Sequence, residues 1–89
     1  MNSQSATPED LEQRVIDVIT SHQRLHPGEV TLDSTLFDLG IDSFDGMDLL
    51  LEFERVFQVP IPDDIGSRVE TVRDAVAALR QALAAAPAA

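Results

Sequence analysis

A chain of 89 residues, 44% of them hydrophobic, makes one small domain with a single core and is too apolar for a disordered tail. It has no cysteine, which excludes disulfides, Cys-based zinc sites and a protein thiol nucleophile, so any thiol chemistry must arrive on a cofactor. Six basic residues against sixteen acidic ones give a net charge of −10, a balance that argues against binding nucleic acid or an anionic membrane.

The acidity is uneven. Nine acids and one base, Arg55, lie between Asp33 and Asp64. That segment should steer the protein toward partners with basic patches, beyond merely keeping it in solution. No apolar run is long enough to span a bilayer, and no basic segment followed by an apolar one opens the chain, so a cytoplasmic protein without stable membrane insertion is expected.

In chain order, residues 1–6 read as a loose polar tail. Thr7-Pro8-Glu9-Asp10 is a helix start, with threonine as N-cap, proline at the first helical position and acids in the first turn. Leu11, Val15, Val18 and Ile19 then recur on one helix face until the pattern fades between Ser21 and Leu25, ahead of Pro27-Gly28. His22 and His26 have the spacing at which a helix can pair two imidazoles on a metal. Pro27 disfavours helical geometry at His26 and no third ligand stands near, so no metal site is expected.

Glu29 to Asp42 is a connection long enough to need anchoring, and Val30, Leu32, Leu36 and Leu39 can anchor it. Ser34 or Thr35 can open a short turn before Gly40. From Ser43 to Phe57 the sequence predicts a helix whose inner face carries Leu49, Leu50, Phe53, Val56 and Phe57. Its outer face carries a second apolar line, Phe44, Met47 and Leu51, flanked by Asp45, Asp48, Glu52 and Glu54. An apolar line with a charged rim is the form of a docking surface.

Pro60 and Pro62 end that helix, with Ile61 expected to point inward, and Pro62 to Gly66 can form one short turn of helix. Thr71, with Asp74 three residues on, opens a last helix whose buried face is read as Val72, Ala75, Val76, Leu79 and Leu83. Residues 85–89 read as a tail. The fold predicted is all-α: a small four-helix bundle of three long helices and one short, spanning residues 7–84, with a long loop between the first two long helices.

One stretch organises the rest. Leu36 and Leu39 can pin a loop from below, Gly40 lets it turn, and Asp42 stands as N-cap of the helix that Ser43 begins. A serine there is placed to carry a phosphate ester, because helix N-termini favour anions. The run Leu39-Gly40-Ile41-Asp42-Ser43, followed by the apolar Phe44, resembles the signature of the acyl carrier protein family, and the likeness extends over roughly Leu11 to Leu83.

That resemblance implies 4′-phosphopantetheine, supplied by coenzyme A, esterified to Ser43, with Leu39, Gly40 and Asp42 shaping the site. It implies a carrier and not an enzyme, holding acyl groups as thioesters for fatty-acid, polyketide or related biosynthesis. A phosphopantetheinyl transferase and acyl-loading, condensing and transferring enzymes would be its partners. Phe44, Asp45, Met47, Asp48, Leu51 and Glu54 would meet them, the chain itself being a monomer. Leu49, Phe53, Ile61, Val69 and Ala75 would open to shelter the acyl chain.

A serine hydrolase triad has little room in a bundle of this size, and Asp42 with Asp45 is better explained as capping than as acid/base chemistry. Two other readings stand beside the carrier. A peptidyl or aryl carrier of nonribosomal synthesis would favour Gly-Gly-x-Ser, against Asp42 here; an acidic helical adaptor would have kept the fold without the arm. Phe44 in place of the usual leucine, Glu52, Arg55 and Gly46 depart from the common pattern and hint at a specialised pathway. Gly46 weakens a helix by about 1 kcal/mol relative to alanine, whether for close packing or for a softer helix.

Overall fold

The computed structural model of the chain describes residues 8–85. Its elements are α1 (Pro8–His22), α2 (Ser43–Phe57), α3 (Asp63–Gly66) and α4 (Val72–Ala85). The three long helices and one short one are those expected from the pattern. Thr7, read as the N-cap of α1, and the tail at 1–6 lie outside the described residues, while α4 runs one residue past the expected edge at 84.

Helix α1 packs against α2 and α4, and α3 packs against α4. The core is apolar throughout: Leu11, Val15 and Ile19 from α1, Leu49 and Phe53 from α2, and Val72, Ala75, Val76, Leu79 and Ala82 from α4. Val18 is half-buried against it. Leu83 departs from expectation and is 40% exposed. Its angle fits the core face, but in the last turn of α4 its large side chain is only partly covered, while the smaller Ala78 and Ala82 are buried. Arg14 reaches from α1 across the Phe57 ring, 4.5 Å from its centroid, so the helix pair is sealed by a cation–π contact.

The long first connection is held along its length. Val30 and Ile41 are buried, and Leu32, Leu36 and Leu39 pack against the core. The chain crosses Thr71 in a single antiparallel bridge at Thr35. Leu36 N–H donates to the Glu70 carbonyl at 2.9 Å, Val72 N–H to the Ser34 carbonyl at 3.0 Å, and Arg73 N–H to the Leu32 carbonyl at 2.9 Å. Arg73 also pairs with Asp33 at 2.9 Å. The first loop is thereby stapled to the start of α4, which fixes the approach to α2.

That start is a reciprocal cap. Asp74 N–H donates to Thr71 Oγ1 at 3.1 Å, and Asp74 Oδ2 accepts from the Thr71 and Glu70 N–H groups, both at 3.1 Å. These bonds, the one from Glu70 first, hold the Asp74 carboxyl below its ordinary value. At the far end of α1, His22 closes the helix while Arg24 turns to φ 56°, so His26 leaves the helical face. Among the described residues no three metal-ligating side chains gather into a site. No helix there is long and apolar enough to cross a membrane.

Candidate functional site at the head of the second long helix

The turn before α2 is built from its own backbone. Thr35 Oγ1 accepts the Asp38 N–H at 3.1 Å, Gly40 N–H donates to the Phe37 carbonyl at 3.0 Å, and Ile41 N–H returns to the Leu36 carbonyl at 2.9 Å. Gly40 makes this possible at φ +81°, in the left-handed region where a side chain is strained. So Thr35, and not Ser34, caps the turn. Leu36 and Leu39 point inward from it, and Ile41 is fully engaged in the core.

Asp42 is extended, at φ −86° and ψ −172°, and its Oδ1 accepts the Asp45 N–H at 2.9 Å. Its carbonyl accepts the Gly46 N–H at 2.8 Å, the first turn of the helix. This is the N-cap expected of it. Ser43 is consequently the first residue of α2 and is exposed. The amide groups of Ser43 and Phe44 belong to the first turn, where the helix supplies no acceptors.

Beside Ser43 an open cleft of about 1200 Å³ runs into the protein. Phe37, Asp38, Asp42, Ser43 and Met47 are exposed residues of its lining, and Leu49, Phe53, Ile61, Ala75 and Leu79 are buried ones. All five residues expected to line an acyl shelter, Val69 included, are on its wall. Gly66 brings α3 close to α2 here: a Cβ on it would meet Leu50 Cδ2 at 2.8 Å. Gly46 has no such reason, since a Cβ there would meet nothing within 4 Å, which removes close packing as its explanation.

The outer face of α2 is as the pattern predicts. Phe44 is 80% exposed, Met47 64% and Leu51 62%. Asp48 is exposed and Asp45 half-buried beside them. Arg55 hydrogen-bonds Glu52 through Nε at 3.3 Å and pairs with it through its second nitrogen. The bond holds the Glu52 carboxyl below the usual carboxylate range and raises Arg55. The single base in the acidic segment is thus matched within its own helix. Glu54 is placed differently from the other acids: its Oε2 accepts the Ile61 N–H at 2.7 Å, linking the end of α2 to the segment before α3.

Two features escaped the sequence reading. Phe37 is 86% exposed at the mouth of the cleft, and Val59 is buried in the α2–α3 connection. Val59 carried a usable signal, the alternation Val59, Ile61 around an outward Pro60; Phe37 carried none beyond its place beside Leu36.

A model of the phosphopantetheine attachment site matches residues 13–79. An acyl carrier protein of Amoebophilus asiaticus is 43% identical over 76 residues, covering 84% of this chain and 95% of that one. This chain belongs to the acyl carrier protein family. An acyl carrier protein of Porphyromonas gingivalis is 37% identical over 75% of this chain and 87% of its own. Among solved structures, the Thermotoga maritima acyl carrier protein superposes with a TM-score of 0.73 at 25% identity, covering 86% of this chain and 91% of that one. The 3-oxo-butyl-ACP, an intermediate mimic from the actinorhodin polyketide synthase of Streptomyces coelicolor, gives 0.63 at 28% identity, covering 98% and 100%. Acyl carrier proteins are non-catalytic; they bear a phosphopantetheine group and serve a phosphopantetheinyl transferase and the biosynthetic enzymes that handle the acyl cargo.

Proposed function

We propose that Ser43 is the residue that carries 4′-phosphopantetheine in this acyl carrier protein. The observation that supports it is the exposed hydroxyl on the first residue of α2, directly after the Asp42 cap and at the mouth of an apolar cleft. The residues present fit the group: the positive end of α2 suits a phosphodiester anion, and the cleft suits an apolar chain. When bound, the group supplies a terminal thiol on which acyl groups are held as thioesters.

In the attachment step, Ser43 Oγ bonds to the phosphorus that bears the pantetheine in coenzyme A. The pyrophosphate P–O bond breaks, adenosine 3′,5′-bisphosphate leaves, and the serine proton passes to a base on the transferase. Asp42 holds the head of α2 and presents Ser43 to the transferase and its metal. Leu39 and Gly40 set the turn that keeps the hydroxyl outside the core. Leu49, Phe53, Ile61, Val69 and Ala75 offer the apolar wall against which an acyl chain shelters.

Phe44, Met47 and Leu51 form the line that enters a partner's apolar cleft, with Asp45, Asp48 and Glu54 meeting its basic rim. The likeness to the actinorhodin carrier, spanning nearly the whole of both chains, favours a polyketide-type cargo. The test is modification with coenzyme A, magnesium and a broad-specificity phosphopantetheinyl transferase, followed by tryptic mapping. The added group is expected on the peptide that runs from Leu25 to Arg55, at Ser43; a group on any other residue would refute the assignment.

A further inference from the structure

We propose that Phe37 is a second anchor of the surface that the phosphopantetheinyl transferase covers, so that Ser43 is gripped from the loop side as well as from α2. The inference rests on Ser43 being the attachment site and goes beyond it by assigning a residue outside the helix face. Phe37 is 86% exposed, above Phe44 at 80% and Met47 at 64%.

This exposure is built in. Leu36 and Leu39 turn inward on either side of Phe37, and the Asp38 N–H is bound by Thr35 Oγ1 at 3.1 Å. The Phe37 carbonyl itself accepts the Gly40 N–H at 3.0 Å. With the backbone bonded before, at and after it, the ring is carried on a fixed frame, and burying it against a partner costs little backbone ordering. Phe37 also lines the same cleft as Ser43 and Met47, so the loop and the helix each set an apolar group on the cleft that the serine lines.

The charge around it names the chemistry of the occupant. Asp38, Asp42 and Asp48 are exposed among these residues, and the one base of the segment, Arg55, is paired with Glu52. The matching surface is an apolar recess bordered by lysine or arginine. Of the enzymes that meet a carrier, the transferase is the one that must bring phosphorus within bonding distance of Ser43 Oγ. Its site therefore has to close over the loop as well as the helix. Enzymes that act on cargo at the end of the arm are free of that constraint.

The test is the steady-state rate of modification of wild type, Phe37→Ala and Phe37→Tyr by a broad-specificity transferase with coenzyme A and magnesium. Phe37→Ala should lower kcat/KM for the carrier about tenfold, mostly through KM, with an unchanged melting curve, and Phe37→Tyr should recover most of the loss. A Phe37→Ala rate within about twofold of wild type, or a loss in kcat at unchanged KM, would overturn the inference. If wild type is modified at Ser43 and Phe37→Ala matches it, this inference alone falls. If wild type takes no group at Ser43, the attachment assignment falls with it.

Discussion

Glu54 Oε2 accepts the Ile61 N–H at 2.7 Å, so a surface acid of α2 also closes the connection into α3. Ile61 is 4% exposed, and its amide has little access to water once Glu54 is gone. Glu54→Ala should therefore destabilise the fold by about 1–2 kcal/mol, measured as a shift in the urea midpoint at constant slope. A variant as stable as wild type would show that the bond contributes nothing.

Asp48 makes the opposite case. It is exposed on the same helix and its only assigned task is to meet a partner. Asp48→Lys should leave the melting curve within about 0.5 kcal/mol of wild type while raising KM for the transferase about fivefold at low salt. The difference should shrink as salt is added, because exposed charges are screened. Unchanged KM at every salt concentration would remove Asp48 from the docking face.

Asp74 gives the fold a defined acid sensitivity. Bonds from the Glu70 and Thr71 N–H groups depress its folded-state pKa. Its contribution is then present above the unfolded value, about 4, and is lost as pH falls through the lower folded one. Urea unfolding of wild type and Asp74→Ala should show the widest stability gap near neutral pH, narrowing below about pH 4. A gap that stays constant with pH would mean the cap does not depend on the carboxylate.

Much of this was legible in the sequence, for reasons visible residue by residue. Leu49 and Phe53 sit where the helical period places them, and Asp42 and Thr71 cap where their side chains and acidic partners foretell. Phe44, Met47 and Leu51 stand outside because their angle around α2 leaves the core no access to them. What periodicity could not reach was the geometry of the connections. The bonds between the 32–36 strip and Glu70, Val72 and Arg73 join segments far apart in sequence, and no local pattern marks them. Phe37 was hidden because its outward direction is set by those bonds and by the turn at Gly40. Charge alone marks Glu54 as a rim acid, since an acid that caps a distant amide has the same letter as one facing water. Leu83 differs for another reason: a helical period gives the angle of a side chain, not how much cover it finds near the helix end.

Intact mass spectrometry reads whether the arm is carried on Ser43. Wild type and Ser43→Ala are each incubated with coenzyme A, magnesium and a broad-specificity phosphopantetheinyl transferase. The exposed hydroxyl has little part in folding, so both proteins should show the same melting curve. Wild type should gain the mass of a single phosphopantetheine group and Ser43→Ala none. The same gain in Ser43→Ala, or no gain in folded wild type, would contradict the assignment.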